Sequence, residues 1–151
     1  MSRVKRIVVH CTDEPSNAKR NKEYYRHWFF DVKKWRHFGY HAVVYQDGKW
    51  EQLQPLPELR KDGGYIDNST MANGAKGYNN DSLHIAYVGG IDPVSSLHTD
   101  TRTPFQRDTL RVLITKWKCL YNITEVVGHR DLPGVKKACP CFDARKEYEN
   151  A

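Results

Sequence analysis

The chain reads as an α/β protein: a single mixed central β-sheet of about five strands flanked by two main helices. Three observations predict this. Short apolar runs (Val4 with Ile7-Val8-Val9, Leu83 to Val88, Glu125 to Gly128) are bounded by turn residues and suit strands. Two segments, opening at Asn21 and at Thr103, place apolar residues at helical spacing. Asp47-Gly48, between two strand-like segments, is a hairpin signal.

Taken in order, residues 4–11 form a buried strand that ends on His10 and Cys11. Asn21 caps a first helix carrying Tyr25, Trp28, Phe29, Val32 and Trp35, which should stop near Gly39. Segments 41–46 and 49–54 are the two arms of the hairpin. Pro55 to Asn80 is rich in Pro, Gly, Asn and Asp and reads as a long surface loop, a kind that often rims a binding site. Leu83 to Val88 is the next strand, ended by Gly89-Gly90. Thr103-Pro104-Phe105-Gln106 opens the second helix, with Thr as cap, Pro at the first position and Gln three residues on. Leu110, Leu113, Ile114, Trp117 and Leu120 are its apolar stripe. Glu125 to Gly128 is a last short strand that leads into the loop of His129.

Length and composition set the bounds. A chain of 151 residues fits one domain, 1–151, large enough to bury a core without staples. Apolar content of 39%, with four Trp and nine Tyr, argues against disorder. No apolar stretch approaches the ~20 residues that span a bilayer. After the basic start, Ile7-Val8-Val9 is too short for a signal-peptide core, so synthesis in the cytoplasm without a signal peptide is expected. Any extracytoplasmic target is then reached by another route. Four cysteines (Cys11, Cys119, Cys139, Cys141) in such a chain are not expected to form a disulfide framework. Cys119 lies in the second helix and reads as a small buried hydrophobe. The net charge of +6 invites a polyanionic partner, but Lys and Arg are spread along the chain and no nucleic-acid motif accompanies them.

The chemistry-bearing residues are His10, His129 and Cys139. Two imidazoles and a thiolate make a three-ligand zinc site, which leaves the fourth tetrahedral position open, as catalytic zinc requires. Strand alternation puts His10 on the face of Val8 and Thr12 and sends Cys11 to the other face. Cys139 precedes Pro140 and is biased toward extended backbone. If residues 137–141 are extended, Lys137, Cys139 and Cys141 point the same way. This brings an ammonium beside the metal and leaves Cys141 as a competing ligand that spacing does not exclude.

The chain resembles the zinc-dependent N-acetylmuramoyl-L-alanine amidases of the phage-lysozyme type, relatives of the peptidoglycan recognition proteins. The landmarks are Val9-His10-Cys11-Thr12, Gly39-Tyr40-His41, Ala75-Lys76-Gly77-Tyr78-Asn79, Val88-Gly89-Gly90-Ile91-Asp92, Gly128-His129-Arg130-Asp131 and Lys137-Ala138-Cys139-Pro140. The resemblance implies the amidase-like fold and cleavage of the amide between N-acetylmuramic acid and L-alanine of the stem peptide. It makes His10, His129 and Cys139 the zinc ligands, in preference to Cys141, and Tyr40 and Lys137 catalytic partners. It also implies a peptidoglycan or muropeptide substrate. The positive charge suits such a carboxylate-bearing polymer, so nucleic acid is not expected; nothing demands a partner chain, so a monomer is expected; and the missing export signal suits a phage or prophage lysis enzyme. A non-catalytic peptidoglycan-binding module is the alternative. Two positions depart from the pattern: Gly74, where the family often has His, and His84, where it usually has Gly. His41 and His84 are expected to be structural, His41 with a hydrogen bond near the metal. His27, His37 and His98 are expected at the surface. Tyr78 offers a face for a sugar ring, and Asn79 and Asn80 could bond peptide carbonyls.

Overall fold

A computed structural model describes residues 4–59 and 71–151. Its centre is a five-stranded sheet built from β1 (Arg6–Cys11), β3 (Ala42–Val44), β4 (Trp50–Gln52), β5 (Ser82–Tyr87) and β7 (Glu125–Gly128), in the order β4-β3-β5-β1-β7. β1 lies between β5 and β7, parallel to both; β3 is parallel to β5, and only the edge strand β4 runs antiparallel. The sheet is mixed, as the sequence predicts. A two-stranded ribbon, β2 (Glu14–Pro15) with β6 (Gly90–Ile91), lies beyond the ends of β1 and β5.

Strand alternation divides the core. Ile7, Val9, Leu83, Ile85 and Tyr87 share one cluster with Leu110, Leu113, Ile114 and Trp117 of α2 (Pro104–Tyr121). Val8 and Val127 pack on the opposite side with Ala75 and Leu132. That opposite face also carries the side chains of His10 and His84, because positions two apart on a strand share a face. α2 starts as its sequence predicts, with a reciprocal capping box between Thr103 and Gln106 and Pro104 in the first turn. Its buried stripe finishes on Tyr121, whereas Leu120 is 48% exposed. Tyr121 lies four residues beyond Trp117, back on the same helical face; Leu120 falls to its side. Cys119 on this helix is exposed, contrary to its expected burial.

The first helix also differs from expectation. α1 spans Lys22–Arg26, capped by the Asn21 side chain, and passes into one wide π-helical stretch, His27–Val32. The chain leaves the helix at Lys33, whose N–H reaches back to Trp28 O, and Lys34 takes a positive φ of 60°. Trp35 then folds back to stack on Phe29, with centroids 5.4 Å apart. Gly39 is therefore not a helix terminus. A Cβ there would come within 2.6 Å of the Phe29 ring, so this glycine serves close packing. In the hairpin the strands are shorter than predicted, and Asp47-Gly48 lies in a turn closed by Tyr45 N–H on Lys49 O. The middle of the predicted 55–80 loop falls outside the described residues. α3 (Ala144–Glu147) packs near β7.

Candidate metal centre

β1, β7 and the loop after β7 bring the three predicted donors together. His10 stands near the end of β1, and His129 comes directly after β7, one strand over. Cys139 arrives on the loop beyond, where its carbonyl accepts from Arg130 N–H at 2.9 Å. Gly128 makes this approach feasible, because a Cβ there would meet Pro140 Cδ at 2.7 Å. One donor atom from each of His10, His129 and Cys139 lies within 4.8 Å of the others, and all three residues are buried. Cys139 Sγ is 3.7 Å from His10 Nδ1, and the His10 and His129 rings meet edge to face at 4.7 Å. Tetrahedral zinc with bonds of ~2.0–2.3 Å holds its donors about 3.3–3.8 Å apart. A closure of about 1 Å or less brings the widest pair into that range, so the donor set fits the ion.

Cys141 does not share the site. The Cys139-Pro140 peptide is cis, Cys141 has φ 70°, and Cys141 N–H closes a turn on Ala138 O. The segment expected to be extended therefore reverses. Cys141 Sγ ends 4.0 Å from Cys11 Sγ, on the side of the sheet away from His10, in agreement with the alternation that sends Cys11 there. Cys11 acts through its backbone instead, its N–H donating to Cys139 Sγ at 3.2 Å.

The site opens into a cleft of about 550 Å³. Tyr40 and Lys137 both line it, with Trp28, Lys33 and Trp35 forming part of its wall. Tyr40 is half-buried, its ring 5.2 Å from that of His10. Lys137 is exposed, and its charge bears on both donor imidazoles. Burial first, then the neighbouring His84, His129 and Lys137, pushes His10 well below the usual imidazole value; burial and Lys137 bring His129 down to about 4. Both rings are neutral at pH 7, with a lone pair free for a ligand. Burial has the opposite effect on Tyr40, whose phenol is held well above its ordinary value.

His84, expected to be structural, touches a donor residue directly. His84 on β5 occupies the same face as His10, its Nδ1 2.9 Å from His10 Nε2 and its Nε2 3.1 Å from Asn79 Oδ1. Its place alone among apolar residues on one strand face is the available signal. His41 bonds not to a donor residue but to the strand that carries His84, its Nδ1 accepting from His84 N–H at 3.0 Å. Asn79 turns inward through its carbonyl oxygen, and Tyr78 donates to Pro133 O while Arg6 covers its ring at 5.6 Å. His27 and His98 are exposed and pair with Asp31 and Asp13. His37 is half-buried against Gln54.

Comparison with known proteins places this geometry in context. A model of the N-acetylmuramoyl-L-alanine amidase family matches residues 1–142. The endolysin of Klebsiella phage KP32 is 29% identical over 143 residues, covering 95% of this chain and 84% of the phage protein. Among solved structures, the N-acetylmuramoyl-L-alanine amidase LysC from Clostridium intestinale superposes with a TM-score of 0.71 at 22% identity, over 98% of this chain and 83% of that one. The complex of tracheal cytotoxin with the ectodomains of peptidoglycan recognition proteins LCa and LCx gives 0.66 at 19% identity, over 99% and 83%. At these identities the two structures speak for the fold.

Proposed function

The chain belongs to the N-acetylmuramoyl-L-alanine amidase family, and on that premise we propose that it hydrolyses peptidoglycan at the amide joining N-acetylmuramic acid to L-alanine. In this reading His10, His129 and Cys139 would hold a zinc ion, and Tyr40 and Lys137 act on the substrate beside it. The observation that carries this reading is the buried His-His-Cys set, with donors within 4.8 Å, at the floor of a cleft lined by Tyr40 and Lys137.

A zinc ion held by His10, His129 and Cys139 would supply Lewis acidity to the scissile carbonyl. The chain's own groups do the rest. Lys137 sets a positive charge at the rim, where it stabilises the oxyanion that develops as the carbonyl is attacked. Tyr40 keeps its proton at neutral pH, because burial disfavours the phenolate. It therefore serves as a hydroxyl that orients water or passes a proton, rather than as a standing base. Trp28 and Trp35 offer flat apolar faces to the glycan or stem on one wall of the cleft. The Klebsiella phage relative is an endolysin, which supports action on the cell wall by a lysis enzyme.

Digestion of purified peptidoglycan with and without chelator, read by mass spectrometry, tests the reading. Release of intact stem peptides with a free L-alanine amine, lost on chelation and restored by zinc, is expected. Cleavage at a glycosidic or peptide cross-link would replace the assigned bond. Binding without cleavage would select a recognition module, a reading that the structural likeness to peptidoglycan recognition proteins supports and the complete donor set opposes.

A further inference from the structure

We infer that His84 is a positioning residue that fixes the tautomer of His10, and that Gly74 is the residue whose lack of a side chain admits it. The inference rests on the zinc reading only for its consequence, not for its geometry.

The direction of the hydrogen bonds is set by one group that can only donate. Ala75 N–H donates to Asn79 Oδ1 at 2.9 Å, which fixes that atom as the amide oxygen. The same oxygen lies 3.1 Å from His84 Nε2. An oxygen can only accept there, so Nε2 of His84 carries its proton and Nδ1 is left with a lone pair. That lone pair faces His10 Nε2 at 2.9 Å, which must then be the protonated nitrogen of His10. The other nitrogen, Nδ1, is left as the acceptor, and it is the one 3.7 Å from Cys139 Sγ. The series Ala75, Asn79, His84, His10 thus delivers a ligand-ready lone pair into the donor cluster before any ion arrives. The opposite set of tautomers would place the lone pair of His84 Nε2 against that of Asn79 Oδ1.

His84 is itself held at both backbone groups. His84 N–H donates to His41 Nδ1 at 3.0 Å, and its carbonyl accepts from His41 N–H at 2.9 Å. Its ring is wholly buried and lies against the backbone of residue 74, where an added Cβ would overlap His84 Nδ1 and leave Cγ only 2.5 Å away. An imidazole on β5 and a glycine in the preceding loop are therefore one fitted pair. Gly74 and His84 are thus a single structural feature.

Single and double variants at positions 84 and 74, with two readouts, test this. In metal-free protein, long-range proton–nitrogen NMR should find His10 protonated on Nε2 in the wild type. A mixture of tautomers is expected in His84→Leu, which removes the acceptor but keeps bulk. Zinc affinity, measured by competition with a chromophoric chelator, should fall about 10–100-fold in His84→Leu, the usual cost of losing a hydrogen-bond partner of a ligand. His84→Asn sets an oxygen acceptor near the place of Nδ1 and should recover most of that loss. Gly74→Ala should weaken zinc in the wild-type background and cost much less alongside His84→Gly, because the collision is gone. An unchanged His10 tautomer in His84→Leu, or equal losses in the Leu and Asn variants, would overturn the proposal. Should wild-type protein bind no zinc, the metal reading fails, and the tautomer measurement on metal-free protein still decides the role of His84.

Discussion

At the scale of single residues, the arrangement separates two thiols that sequence spacing leaves equivalent. Cys139 and Cys141 differ by two positions, yet a turn sends their sulfurs to opposite sides of the β1 backbone. Cys139→Ala should abolish zinc retention and hydrolysis, whereas Cys141→Ala should keep most of both; equal loss would reassign the ligand. Lys137→Ala should lower kcat about 10²-fold with zinc content unchanged, the scale on which a lost oxyanion partner acts. Unchanged turnover would make Lys137 a surface charge only. His41 gives the acid response of the metal-free protein. Burial lowers its folded pKa from the usual 6.5 to about 3. Between those values the unfolded chain takes up a proton that the folded chain refuses. Stability is thus complete above about pH 6.5 and declines toward pH 3, by at most about 1.4 kcal/mol per pH unit for each such group. The buried His10 and His84 add in the same direction. Urea midpoints at pH 7, 6 and 5 should show a shallower slope for His41→Gln, and identical slopes would assign the acid response elsewhere.

At the scale of elements, the site depends on the crossing of β7 and the Cys139 loop. Gly128→Ala places a methyl group against Pro140, and the forced shift should cost about 1–3 kcal/mol of stability and weaken zinc binding. Thr103→Ala, which removes the α2 cap on the far side of the sheet, should cost about 1 kcal/mol and leave zinc affinity alone. Chemical denaturation and chelator competition on the two variants distinguish a coupled from an uncoupled loss. The elements most legible in the sequence are those set by local rules. The capping box of α2, the alternation of β1 and the Asp47-Gly48 turn each depend on residues within a few positions. The end of the first helix is not legible in this way because it is tertiary: Trp35 returns to Phe29, and Gly39 is needed by that ring rather than by a helix terminus. The turn at Cys141 escapes for a related reason. A bias toward extended backbone before proline leaves the conformation of the residues after it open.

At the scale of the molecule, the parallel order β5-β1-β7 is what makes a site from distant residues. It seats His10 between strands that supply His84 on one side and lead into His129 on the other, while α2 closes the opposite face with apolar side chains. The donor set itself is legible as chemistry, two imidazoles and a thiol, but its convergence is not, because no local motif joins positions 10, 129 and 139. His84 illustrates the limit best. On a strand its role depends on which neighbour it faces, and that is fixed by sheet order and by an absent side chain at Gly74. The net charge of +6, with Lys33, Lys136 and Lys137 around the cleft, suits a polymer that carries carboxylates.

The most direct test is a zinc titration of metal-free protein, followed by amide hydrolysis. Activity should be absent at the start, rise in proportion to added zinc and level off at one equivalent, with Cys139→Ala silent throughout. Full activity without metal, or a Cys139→Ala protein that still takes up one equivalent and turns over, would contradict the assignment of this centre.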